Sequence, residues 1–152
     1  MERMDNNVLS WHAMQIGVEL SRSIENKRIF VIDSDEITRA ALQFMLHDEN
    51  ETHELTSVAD AVAKGAGRKV DLVLLGRDIV REQGSAALDE IARQLPGAKV
   101  LLVADSADDA KACAGFGAAG VLAKPLTVES VRLKVDTALG RGPSFNPFRV
   151  LS

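Results

Sequence analysis

Four groups of polar side chains stand where short apolar runs end. Ile29-Phe30-Val31-Ile32 runs into Asp33, Ser34 and Asp35, and Leu72-Val73-Leu74-Leu75 runs into Gly76, Arg77 and Asp78. Val100-Leu101-Leu102-Val103-Ala104 leads to Asp105 and Ser106, and Gly120-Val121-Leu122-Ala123 leads to Lys124-Pro125. In an open α/β sheet, ligands bind outside the carboxyl ends of the strands. Acids beside a lysine at such converging ends would make a polar pocket. Strand ends are also where a chain meets water, so the same charges are expected there with no pocket behind them.

The elements that would position these groups follow from the apolar pattern. Continuous apolar runs of this length suit strands buried on both faces of a parallel sheet. Glu51 to Val58 is a weaker strand. Helical spacing lies between the runs: Ile37, Ala41, Phe44 and Met45; then Ala87, Leu88, Ile91 and Leu95; then Val128, Val131, Val135 and Ala138. Ser106 followed by Asp109 has the form of a helix start. Gly140 sits where a C-terminal cap belongs. The order βαβαβαβαβα predicts a doubly wound α/β fold on a five-stranded parallel sheet.

Composition narrows the class. The chain has 152 residues, 18 Lys+Arg, 22 Asp+Glu and a formal net charge of −4. That length suits one domain with short tails. With 46% hydrophobic and 26% charged residues, the mix is that of a globular protein. The acidic balance argues against a nucleic-acid partner, because neutralising phosphates needs a dense basic surface. Aromatics are only 4%, so stacking platforms are not expected. Cys113 is the single cysteine, which fits a reducing cytoplasm. Residues 1–7 lack the layout of a signal peptide. The longest strictly apolar run, Val100 to Ala104, is far too short for a membrane span.

Two tails flank a core expected over 27–140. Residues 1–26 form an N-terminal extension with an amphipathic helix expected over 8–24. In it Leu9, Ala13, Ile16 and Leu20 recur at spacings of four, three and four, a short coiled-coil-like seam. So short a helix is marginal alone in water. It must pack on its own core, on a second copy or on a partner. Residues 141–152, with Pro143, Phe145, Pro147 and Phe148, read as an irregular tail.

From about Lys27 to Gly140 the chain resembles the CheY-like receiver domain of two-component response regulators. The resemblance is carried by Ile29 to Asp35, by Val70-Asp71-Leu72-Val73-Leu74-Leu75, and by Gly117 to Leu126. The last segment is the most specific, since a short strand closed by Lys-Pro before a terminal helix is a family hallmark. The resemblance implies a phosphorelay module. Two acids after the first strand would hold Mg²⁺, and an aspartate after the third would accept the phosphoryl group. A hydroxyl after the fourth strand and the lysine would contact that group, and an aromatic on the last strand would rearrange with it. Mg²⁺ and lysine neutralise charge in such a transfer to carboxylate.

Carried over by position, most of these groups are missing. The acid pair falls on Asp33 and Ser34, with Asp35 next in line. The phosphoacceptor position falls on Gly76, which has no side chain to phosphorylate. The hydroxyl position falls on Ala104, on Val103 with a one-residue slip, or on Ser106 with a two-residue slip. The switch aromatic falls on Val121. Only Asp33 and Lys124-Pro125 stand as expected. Four departures together imply a degenerate receiver, or pseudo-receiver. No metal and no cofactor are expected, because Mg²⁺ usually needs more than one carboxylate. Asp78, two residues past Gly76, is the alternative acceptor. Arg77 is expected at the surface, the alternative being a pair with Asp33 or Asp78. Lys124 is expected to pair with Asp33.

The remaining motifs have simpler explanations. Gly115-Phe116-Gly117-Ala118-Ala119-Gly120 matches the dinucleotide fingerprint as a string, but it follows a helix and precedes a strand, the reverse of the required order. Lys64 to Arg68 reads as a helix end. His12, His47 and His53 sit in unrelated segments and suggest no metal site. Cys113 is expected to be buried and inert. Asp108 and Asp109 read as solvated first-turn acids. The expected function is a non-catalytic signalling module working through a protein partner, either a sensor kinase or a downstream regulator. Homodimerisation through 8–24 or through the face of the fourth and fifth helices is the other mode of contact. The alternatives are a receiver phosphorylated on Asp78 and a small flavodoxin-like ligand-binding protein.

Overall fold

In a computed structural model, residues 26–141 are described. The helix expected over 8–24 and the tail past Arg141 lie outside the described residues. The chain runs through β1 (Lys27–Ile32), α1 (Glu36–Leu46), β2 (Asn50–Leu55), α2 (Val58–Gly65) and β3 (Leu72–Gly76). It continues through α3 (Arg77–Gln83), α4 (Ser85–Gln94), β4 (Lys99–Ala104), α5 (Ala107–Cys113), a 3₁₀ turn (Ala114–Phe116), β5 (Gly120–Ala123) and α6 (Val128–Ala138). The five strands are parallel, in the order β2-β1-β3-β4-β5.

Side chains alternate between two apolar layers, as the pleat requires. Ile29, Val31, Leu72, Leu74, Leu101 and Val103 face α1 and α6. Phe30, Ile32, Val73, Leu75, Leu102 and Ala104 face the layer of α2, α3, α4 and α5. Both faces are covered, which is why β1, β3 and β4 read as unbroken apolar runs.

Two differences from the sequence reading concern boundaries. The second strand stops at Leu55 instead of reaching Val58, because Ser57 caps the next helix by accepting from the Asp60 amide at 3.0 Å. Between β3 and β4 there are two helices where the spacing suggested one. Arg77–Gln83 is helical, with Ile79 and Val80 buried, and the break falls at Gly84, whose φ of 65° suits glycine. Charged neighbours at Arg77, Asp78, Arg81 and Glu82 hid that helix, which buries only two apolar side chains.

Candidate functional site at the carboxyl ends of the strands

The sheet order reverses between β1 and β3, and that crevice is where open α/β sheets bind ligands. Its floor is Asp33, just past β1, against Gly76 at the end of β3. Asp33 is 4% exposed. A Cβ built on Gly76 would lie 2.5 Å from Asp33 Cγ and closer still to Oδ2. The Asp33 carboxylate therefore occupies the space a side chain at position 76 would need. Its Oδ1 accepts from the Asp35 amide at 2.9 Å, and its backbone carbonyl accepts from Arg39 Nη1 at 2.7 Å. Burial raises the Asp33 carboxyl above the ordinary aspartate range, opposed by the Asp35 N–H bond and by the field of Lys124.

The neighbouring acids are committed elsewhere. Asp35 is the N-cap of α1: its Oδ1 accepts from the Ile37 amide at 3.2 Å and its Oδ2 from the Thr38 hydroxyl at 2.7 Å. The Thr38 bond, then the Ile37 amide, holds the Asp35 carboxyl below the usual range. Ser34 Oγ donates to Asp78 Oδ2 at 3.2 Å. Asp78 is on the first turn of α3, not on a loop, and its Oδ1 meets Arg81 Nη1 at 3.1 Å.

These donors do not fit the Mg²⁺ site that the fold suggests. Asp33 is the one nearly buried carboxylate, Asp35 is engaged as a cap, and Gly76 supplies no oxygen from a side chain. Among the described residues no cluster of His, Cys, Asp and Glu is arranged to hold a metal ion.

The two cations expected at the site have other partners. Lys124 Nζ approaches Asp105 Oδ1 at 4.0 Å instead of pairing with Asp33. Its peptide bond to Pro125 is cis. Arg77 is neither at the surface nor paired with Asp33 or Asp78. Its Nε donates to both Asp109 carboxylate oxygens, at 2.9 and 3.1 Å, and its guanidinium lies 5.7 Å from the centroid of the Phe116 ring.

Asp109 thus departs from the solvated face expected of it, whereas Asp108 is exposed. Asp109 also accepts from the Asp105 amide at 2.9 Å, and that bond, ahead of the arginines, lowers its carboxyl below the ordinary range. Arg81 completes the network, with Nη1 2.7 Å from Asp105 Oδ2 and Nη2 3.7 Å from Asp109 Oδ1. Arg81 was missed from sequence, and Asp105, one of the strand-end acids, was given no partner there. Part of a signal was present: Arg77 and Arg81 are spaced by four, which puts both on one face of α3.

The other expected residues sort cleanly. Ala104 is fully buried as the last residue of β4, and Gly76 pairs in register with Val103. Ser106 is the N-cap of α5, its Oγ accepting from the Asp109 amide at 3.0 Å. Val121 is half-buried on β5. Cys113 is buried, and burial pushes its thiol up. His47 caps α1 and His53 meets Glu51 Oε2 at 2.8 Å, in separate places. The glycine string at 115–120 forms the turn between α5 and β5.

Several solved structures share this fold. A response regulator from Thermotoga maritima is 21% identical, with 76% of this chain and 98% of that one covered and a TM-score of 0.62. The receiver domain of an HD domain-containing protein from Pseudomonas fluorescens Pf-5 is 25% identical, with 81% and 93% covered and a TM-score of 0.65. NtrX from Brucella abortus, solved with ATP, is 25% identical, with a TM-score of 0.66; the match covers 84% of this chain but only 29% of NtrX. No curated protein matches the chain. The description "Response regulator receiver domain" matches residues 29–136, most of the chain, and with the sheet order, Asp33 and the Lys124-Pro125 turn it makes this chain a member of the receiver domain family.

Proposed function

We propose that this chain is a degenerate receiver that signals without phosphorylation, the acceptor position being Gly76. Receiver domains are signalling modules that act through proteins such as kinases and effectors. The observation that carries the proposal is the space at the end of β3. The Asp33 carboxylate fills the volume that an acceptor side chain would need. Ala104 offers no hydroxyl at the end of β4, and Val121 no ring on β5. Asp33, Ser34 and Asp35 remain as the remnant of the acid site, with Lys124 and Pro125 opposite.

An ion-pair network links the segments that a phosphoryl group joins in an ordinary receiver. Arg77 and Arg81 reach from α3 to Asp105 and Asp109, and Lys124 reaches Asp105 from the end of β5. These links need no ligand, so they favour one fixed arrangement of α3, α5 and β5. The output is then a standing surface, formed by α5, β5 and α6, for a sensor kinase or a downstream regulator in the cytoplasm. The chain itself does no catalysis. Self-association through 8–24 or through that same face is the other mode of contact. The mass in solution of the full chain, beside one lacking 1–26, separates these modes.

Asp78 is the second acceptor to weigh. It is exposed, but it already pairs with Arg81 and accepts from Ser34. The testing experiment is a Mg²⁺ titration of the full chain followed by amide resonances. The proposal predicts no saturable shift at Asp33, Ser34, Gly76 or Asp78. A saturable shift centred on those residues would count against it.

A further inference from the structure

We infer that two copies of this chain associate through α1, packed antiparallel about a two-fold axis, with Ile37 of each copy against Phe44 of the other. Among the described residues, the two most exposed large apolar side chains are Ile37, at 79%, and Phe44, at 71%. Both are on α1. They are two turns apart, so they share one stripe with ~10.5 Å between them along the axis. The inner face of α1 is a separate set, in which Thr38, Leu42 and Leu46 are buried. Ile37 and Phe44 belong to neither apolar layer of the core. Neither residue type is a strong helix former, so helix formation does not account for them. Large apolar side chains so placed on one exposed face mark a contact surface.

The stripe is complementary to itself. Ala40 and Ala41 lie midway along it, Ala40 exposed and Ala41 half-buried. Such small side chains let a second helix approach to ~8 Å. With two α1 helices antiparallel and centred there, each Ile37 meets Phe44 of the second copy, and one two-fold makes both contacts at once.

Charge selects this direction. Glu36 in the first turn and His47 at the C-cap stand on the same flank of the stripe, at opposite ends of α1. The His47 ring lies beside Phe44, with ring centroids 6.2 Å apart. The antiparallel alignment brings Glu36 of one copy near His47 of the other. A parallel alignment would set Glu36 against Glu36 and Asp48 against Asp48, with the helix dipoles aligned. The contact uses no residue of α5, β5 or α6. It is small beside the ~800 Å² per partner of a standard interface, so association is reversible and concentration-dependent.

The test is sedimentation equilibrium of the full chain over micromolar to millimolar concentrations. A reversible monomer–dimer equilibrium is expected. Ile37→Glu and Phe44→Glu, both at the surface, should each weaken it by at least ~10-fold while leaving the circular dichroism unchanged. Leu133→Glu, at an exposed apolar position on α6, should leave it as it is. Register is read with a short thiol cross-linker, since the native Cys113 is buried. A mixture of Ile37→Cys and Phe44→Cys chains should give more cross-linked dimer than either alone. A monomer at every concentration would overturn the inference. So would a dimer that survives both α1 substitutions, one lost with Leu133→Glu, or a mixture that cross-links no better than its components.

Discussion

Gly76 has ordinary backbone angles, φ −68° and ψ 150°, so its conformation does not call for glycine. The demand is for space, and Asp33 is what takes it. Gly76→Ala should therefore force Asp33 to turn away, giving up its bond from the Asp35 amide, and should cost about 1–3 kcal/mol. Urea unfolding measures this. In an Asp33→Ala background the same change should cost much less, the signature of a direct contact in a double-mutant cycle. Asp33 also sets a pH dependence. Its folded carboxyl is raised by burial, so the folded state holds the proton more tightly than the unfolded chain. Its contribution to stability therefore grows as pH falls through the raised folded value, and ionisation above that value is unfavourable. Asp33→Asn should raise stability at neutral pH, and the gain should shrink on acidification. A glycine at the end of the third strand was legible, because Gly76 closes an apolar run with no acid in register. That Asp33 fills the gap depends on a side-chain direction across two strands, which no local pattern encodes.

Among the elements, α3 is the one that reorganises the site. It starts at Gly76 with no side-chain cap, whereas Asp35, Ser57, Ser106 and Thr127 cap the helices after the other strands. Its hold on the body of the protein comes from Ile79 and Val80 inside and from Arg77 bridging to Asp109 on α5. Arg77 and Asp109 are each about 15% exposed, at 15% and 14%, so their bond is shielded from water. Arg77→Ala should destabilise by about 1–3 kcal/mol, since it strips a charged hydrogen bond from a half-desolvated carboxylate. Ser106→Ala should cost about 0.5–2 kcal/mol through the lost cap of α5; both are read from chemical unfolding. The strands and the helices α1, α4 and α6 were legible because their apolar periods are long and regular. α3 was not, since two buried residues among four charged ones carry no clear period, and with it went the placing of Arg77 and Arg81 against Asp109 and Asp105.

Across the whole molecule, two apolar layers share one sheet, and the polar end carries charges bound to each other. Fold class and family were legible from the strand runs, Asp33 and Lys124-Pro125 together. The network was not, because its members come from α3, α5 and the turns after β4 and β5, and they meet only when the sheet closes. The central claim is that nothing at this site accepts a phosphoryl group. The direct measurement is the intact mass of the full chain after incubation with a small phosphodonor and Mg²⁺, followed by peptide mapping. An unchanged mass is predicted. A stable gain of one phosphoryl group, mapped to Asp78 or Asp33, would contradict it.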